Sequence, residues 1–152
     1  MFSTATNKLL THLTTFLPMN RAILCSAIEG VVSKFGYDFT LNDDAYYPAT
    51  LCRYPAAFLS QPEFVALEGR KEGRITYKVS LYLAQQGAKL SPKGRNDLLA
   101  EMEEQMVNIF VELSQHKRIA VVRELTIKPL AGAIDQHGAL TMVAEANIET
   151  IF

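Results

Sequence analysis

The stretch EGRITYKVSLYLAQQ, residues 72–86, decides the fold because it alternates more regularly than any other part of the chain. Polar or small residues stand between its apolar positions, which are Ile75, Tyr77, Val79, Leu81 and Leu83. A period of two predicts a β-strand with one face buried and the other turned outward. We expect the inner face of this strand to pack against a helix.

The chain has 152 residues, and we expect a single α+β domain over residues 1–152. Hydrophobic residues make up 49% of it, which is enough for a core without disulfides or metals. Fifteen Lys and Arg residues against sixteen Asp and Glu residues give a net charge of −1. This balance argues against duplex DNA as a partner, and it leaves little repulsion to oppose self-association.

The cysteines and the N-terminus indicate a cytosolic protein. Cys25 and Cys52 form neither a disulfide framework nor a Cys-x-x-Cys site, which favours a reducing compartment. The first thirty residues lack an early basic cluster, and Pro18 and Arg21 interrupt them before the roughly 20 apolar residues that a membrane span needs. We expect neither an export signal nor a membrane partner.

Helical periodicity predicts two N-terminal helices. Apolar residues predict a first helix over 5–17 that Pro18 ends. Asn20 is predicted to cap a second helix through Phe35, and Gly36 to stop it. The two form a helical hairpin or one kinked helix. The apolar stripe of the second is predicted at Ala22–Ile23, Ala27–Ile28 and Val31–Val32.

The region 37–71 is punctuated by Pro48, Pro55 and Pro62, which indicates irregular or edge strands. The segment EFVALE and the polar turn GRKEG at 69–73 then predict an antiparallel hairpin with the strand at 75–83.

The second half of the chain predicts one long helix and two strands. Ser91 as N-cap and Pro92 as first residue open the helix. Its apolar stripe is Leu98–Leu99, Met102, Met106, Ile109–Phe110 and Leu113. Residues 118–130 and 139–152 predict strands, and in the first of them Ile119, Val121, Leu125 and Ile127 share a face. The fold class is therefore α+β, a mostly antiparallel sheet of about four strands with the N-terminal helices and the long helix on one face.

The residue patterns favour no chemistry. His12, His116 and His137 lie in three elements without metal-binding spacing, and we expect His116 to be solvated at a helix end. His137 beside Asp135 is either an acid–base pair or part of a polar hairpin tip. The cluster at 42–44 lacks the calcium-loop spacing, and nucleotide-binding and nucleophile motifs are missing. We expect no enzyme, no catalytic residue, no cofactor and no metal.

The outward face of the predicted sheet is more apolar than a purely solvated face requires. It is either a protein contact or an ordinary face that carries β-forming residues. The basic turn after residue 69 is likewise either a solvated turn or a contact for an acidic partner. The candidate subunit contacts are Arg70, Lys71, Arg74, Tyr82 and Val143.

The order of the elements resembles a known family. The strand YKVSLYLAQQ, the capped helix SPKGRNDLLAEMEEQMVNIFVEL and the closing hairpin of IAVVRELTIKPL and HGALTMVAEANIETIF follow an N-terminal helix and a region with two YP pairs. Over roughly residues 20–152 this set is similar to the tail-terminator and tail-completion proteins of long-tailed phages and prophages.

The resemblance implies a non-enzymatic α+β subunit that assembles into a ring, typically a hexamer. The ring would cap the tail tube and contact tail-tube and head-connector proteins, first in the host cytoplasm and then in the virion tail, without recognising a nucleic-acid sequence. The alternative is a small α+β ligand-binding module or enzyme. Its ligand would lie between the sheet and the N-terminal helices, near polar groups such as Arg53, Tyr54 and Arg123.

Overall fold

A computed structural model describes residues 19–42, 54–69, 73–87, 89–130 and 139–152. In these ranges the chain forms two helices, α1 (Asn20–Lys34) and α2 (Pro92–Ser114), and six strands, β1 (Asp38–Asn42), β2 (Ala56–Ser60), β3 (Glu63–Glu68), β4 (Arg74–Gln85), β5 (Ile119–Pro129) and β6 (Leu140–Ile151). The predicted helix over 5–17 lies outside the described residues. The predicted α+β class is confirmed.

All six strands belong to one mixed sheet with the order β1-β2-β4-β6-β5, and β3 also pairs with β4. β2 and β3 follow each other along the same edge of β4, whereas β6 covers the other edge. Only β1 and β2 run parallel within the described strands. The prediction of about four strands is two short because β1 and β2 lie in or beside the proline-punctuated region, where no alternation marks them.

The alternation in β4 produces the predicted two-faced strand. β4 pairs with β6 in register from Arg74, which lies opposite Ile151, to Gln85, which lies opposite Leu140. The odd positions of β4 from Tyr77 to Leu83 are buried in the main core. Since burial of apolar surface is the dominant favourable term in folding, the pairing of β4 with β6 forms the centre of the sheet.

Helix α2 is capped and buried as predicted. The Ser91 hydroxyl accepts a hydrogen bond from the Gly94 backbone N–H at 3.1 Å, and Pro92 opens the helix. Its buried stripe packs into the main core with β4 and β6, and consists of Met102, Met106, Ile109, Phe110 and Leu113. Each such side chain contributes about 1.5–3 kcal/mol by leaving water.

Helix α1 differs from the prediction at its start. Met19 occupies the N-cap position without a side-chain bond, and Asn20 is a buried residue of the helix, so the prediction that Asn20 caps the helix is wrong. Asn20 points inward, and the next buried residue on its side of the helix is Leu24, one turn later. Ala22 and Ile23, which were predicted in the apolar stripe, are exposed and half-buried. Gly36, with φ +85°, stops the helix as predicted.

Strand β5 contains two register shifts against β6, one between Ile119 and Val121 and one between Arg123 and Thr126. Each shift adds one residue, so it moves the following side chains to the other face of the sheet. Val122 and Ile127 therefore pack against the core, and Leu125 is exposed. The prediction that Val121 shares the face of Ile119 and Ile127 is wrong.

Candidate interaction surface

The outer face of the sheet, opposite the helices, carries a second apolar cluster at the end of β4 that leads to α2. It consists of Ala56, Phe58, Ala84 and Ala139, with Tyr54 and Tyr82 packed against it. Tyr82 lies between Phe58 on β2 and Val143 on β6 in the strand register. Tyr82 is half-buried and Val143 is only 3% exposed, so the predicted contact residue Val143 offers little surface to a second subunit.

The predicted basic contact Arg74 lies at the other end of β4. Arg74 is exposed and sits in register between Glu68 on β3 and Ile151 on β6. Arg70 and Lys71 lie outside the described residues. Of the three predicted contacts that are described, Tyr82 and Val143 are neighbours and Arg74 lies apart from them.

Among the described strands, β3 exposes the most large apolar side chains, and no contact was predicted there from the sequence. Phe64, Val65 and Leu67 are exposed by 59%, 52% and 58%. Phe64 is aligned with Tyr77 and Leu67 with Ile75, so both lie on the face that carries the helices. The Phe64 ring meets the Tyr77 ring edge-on at 6.3 Å between centroids.

Within the described part of the chain, β3 pairs only with β4, so its second edge has no strand partner. A strand edge of this kind is a template for a further strand. The sequence contained one usable signal, because EFVALE places apolar residues at both parities. A strand with one solvated face would alternate instead.

A charged strip crosses the outer face beside β5. The Arg123 guanidinium donates to the Glu149 carboxylate at 2.9 Å, and the Asn147 amide donates to the Glu124 carboxylate at 2.9 Å. These groups border a shallow groove of about 310 Å³, which is lined by Lys78, Glu124, Thr126, Glu145, Ala146 and Asn147. Partly exposed ion pairs of this kind contribute about 0–1 kcal/mol each. The strip is therefore a polar and partly exposed surface that contributes little to stability.

Three titratable side chains, those of His116, Cys25 and Tyr37, are partly or fully buried. His116 is half-buried, not fully solvated as expected, and its Nδ1 accepts a hydrogen bond from the Arg118 backbone N–H at 3.1 Å. Burial raises the pKa of the Cys25 thiol, and the Arg21 guanidinium partly opposes this shift. Burial also raises the pKa of the Tyr37 phenol, whose oxygen accepts a hydrogen bond from the Gln85 amide.

Two polar groups of the alternative function, Tyr54 and Arg123, lie far apart. The Tyr54 hydroxyl is buried without a hydrogen-bond partner, and Tyr54 packs beside Ala84, which is level with Thr141 of β6. Arg123 is level with Asn147, six residues further along β6, which corresponds to about 20 Å. Arg53, the remaining group, lies outside the described residues, as do His12 and His137.

Among the described residues, no group of three metal-ligating side chains converges, and no helix is long and apolar enough to cross a membrane. No protein-family model matches this chain, and a search of the curated proteins gives no match.

Proposed function

We propose that this chain is a structural protein of a phage or prophage virion, similar to a tail terminator, whose ring caps the tail tube and joins it to the head connector. The observation that carries the proposal is β3, a six-residue strand with three large apolar side chains more than half exposed. Exposed apolar surface of this kind marks a protein contact. A subunit designed for assembly requires such a surface, and a monomer does not.

The charge balance of the chain also supports assembly. A ring needs head-to-tail interfaces, in which two different patches of one chain meet. The net charge of −1 offers little repulsion between copies. In this proposal the chain is not an enzyme and uses no cofactor, and its partners are further copies of itself, the tail tube and the head connector.

The alternative, a ligand-binding module or enzyme, has less support. It requires polar groups that converge on one cavity. Tyr54 and Arg123 lie at different ends of the sheet, and Arg123 is already paired with Glu149.

The test is the absolute mass of the chain in solution, measured by light scattering on a size-exclusion column over a concentration series. We expect a species near six times the 16.9 kDa of one chain, or one that grows toward it with concentration, and rings of that species in negative-stain electron micrographs. A stable dimer with a bound small molecule would contradict the proposal and favour the alternative.

A further inference from the structure

Strands β3 and β5 offer two different free edges of the same sheet. β5 ends the strand order on one side, and β3 flanks the first half of β4 on the other. Within the described ranges, neither strand has a second neighbour. Backbone groups along a free edge can pair with a strand from another chain.

The two edges carry opposite charge on the outer face. β3 holds Glu63 and Glu68 and no basic residue. These acids are aligned with Lys78 and Arg74, which places them on the outer face of the sheet. A strand that pairs with β3 would therefore need basic side chains on its outer face.

β5 supplies such a match. It holds Arg123 and Lys128, which are aligned with Asn147 and Val143 on the same outer face. Arg123 donates to Glu149 but keeps 63% of its side chain exposed. The single acid of β5, Glu124, is engaged by Asn147.

The spacing of the two charge pairs is the same. Glu63 and Glu68 are level with residues 78 and 74 of β4, which are four positions apart. Arg123 and Lys128 are level with residues 147 and 143 of β6, also four positions apart. At about 3.3 Å per residue, each pair of charges spans about 13 Å. Each of the two strands has one residue more between its charges than the strand beside it, so the charges are five residues apart in both β3 and β5.

The other face of the two strands is apolar. Phe64 and Leu67 of β3 lie exposed on the face that carries the helices, and Val122 and Ile127 of β5 lie half-buried on the same face. A sheet continued from β3 to β5 would place opposite charges together on one face and apolar side chains together on the other. Pairing of β3 with β3 in antiparallel orientation would instead place Glu63 opposite Glu68 of the second copy, which is repulsive.

We propose that β3 of one copy pairs with β5 of the next, so that the sheet continues head to tail from subunit to subunit. The role of this contact in closing a ring rests on the function proposed above, whereas the existence of the contact does not depend on that function. A contact between unlike edges generates a ring when the rotation closes and an open filament when it does not. Within one subunit β5 runs opposite to β3, so a sheet that continues with its helices on the same face pairs the two strands antiparallel, which brings Lys128 to Glu63 and Arg123 to Glu68.

The test is charge reversal in the full chain, read out by sedimentation equilibrium. We expect Lys128→Glu, and separately the pair Glu63→Lys with Glu68→Lys, to weaken self-association about tenfold or more, because like charges then meet at the interface. Combining Lys128→Glu with Glu63→Lys restores the affinity, because these two residues meet in the antiparallel contact, whereas combining it with Glu68→Lys does not. The matched controls are Lys93→Glu for Lys128→Glu, and Glu103→Lys with Glu104→Lys for the double reversal on β3; they change the net charge equally at exposed positions of α2 and leave the affinity unchanged.

The outcomes separate this contact from the proposed function. A wild-type ring that resists every reversal overturns the β3–β5 contact and leaves the ring proposal standing. An open chain or dimer that responds to reversal and is rescued supports the contact and contradicts the ring. A wild-type chain that stays monomeric at every concentration contradicts both. Since Lys128→Glu lies on a different strand from Glu63 and Glu68, a folding fault in one variant leaves the other informative.

Discussion

The side-chain amide of Asn20 donates a hydrogen bond to Oγ1 of Thr150 at 2.8 Å, across 130 positions of the chain. Thr150 in turn donates to the Ile75 carbonyl at 2.9 Å, and the Arg118 guanidinium donates to the Asn20 side-chain oxygen at 3.3 Å. Asn20 is 7% exposed and Thr150 1%. This buried network joins α1, β4 and β6 at the end of the sheet where β3 lies.

Removal of either partner should destabilise the chain. Asn20→Ala leaves Thr150 Oγ1 without its donor, and Thr150→Val leaves the Asn20 amide unpaired, so we expect each to lower the free energy of unfolding by about 1–3 kcal/mol. The double variant should cost less than the sum of the two, by at least about 0.5 kcal/mol. Urea unfolding measures all three. Thr126→Val, at an exposed position of β5, is the control and should stay within about 0.5 kcal/mol of wild type. Strict additivity of the two single variants would contradict the coupling.

Two glycines near the end of α1 should respond to alanine with opposite signs. An added Cβ meets nothing within 4 Å at Gly30 or at Gly36, so crowding plays no part. Gly30 lies inside the helix, where alanine should stabilise the chain by up to about 1 kcal/mol. Gly36 has φ +85°, where alanine should destabilise it by about 1 kcal/mol. Thermal unfolding of the two variants tests this, and a shift of the same sign in both would contradict it.

Stability should fall at alkaline pH through Tyr37. Burial is the main cause that raises the pKa of this phenol above its ordinary value near 10. The folded chain therefore keeps a proton that the unfolded chain has lost, so the stability that Tyr37 contributes is complete below about pH 10 and is lost as pH rises toward the folded pKa. The slope from this group is at most about 1.4 kcal/mol per pH unit.

Urea unfolding of wild type and Tyr37→Phe between pH 8 and pH 11 measures this effect. The variant removes the hydroxyl that bonds to Gln85 and Gln105, so it should be less stable at pH 8. This difference in stability should shrink above about pH 10. There the Tyr37 phenol of unfolded wild type loses its proton, which destabilises folded wild type, and the variant has no such phenol. A constant difference between the two chains over the whole pH range would contradict the prediction.

Cys25 should react slowly with alkylating reagents in the folded chain. The thiolate is the reactive form, and burial raises the pKa of this thiol. In a Cys52→Ser background, which isolates Cys25, we expect iodoacetamide to react more slowly with the native chain than with the urea-unfolded chain at pH 8. Arg21→Gln removes the charge that lowers the pKa and should slow the reaction further. Equal rates for the folded and unfolded chains would contradict this.

Elements with one clean period were predicted from the sequence. The alternation of β4 and the helical stripe of α2 are local patterns, and both elements form where the patterns place them. The Ser91 cap and the Gly36 stop are equally local, because each depends on a few neighbouring backbone groups. β1 and β2 lie in the region for which only irregular or edge strands were predicted, without bounds, since prolines near them break any period.

The candidate interaction surface was only partly predictable. The sequence placed β3 in a hairpin, but exposure of Phe64 and Leu67 depends on how far the helices extend over the sheet. Val143 was predicted as a contact from its outward parity, yet it is buried beside Tyr82 in the strand register. Parity predicts which face a side chain occupies, but not whether another part of the chain covers that face.

The sequence by itself therefore determined the α+β class, the long central strand and the capped helix, because short-range periodicity and caps specify them. Only the tertiary structure decided the rotation of α1, which follows from the bond of Asn20 to Thr150. It also decided the faces of β5, where two extra residues shift the register against β6. The matching charges of β3 and β5 likewise became visible only once strand pairing had placed them on one face, since they depend on contacts between residues far apart in the chain.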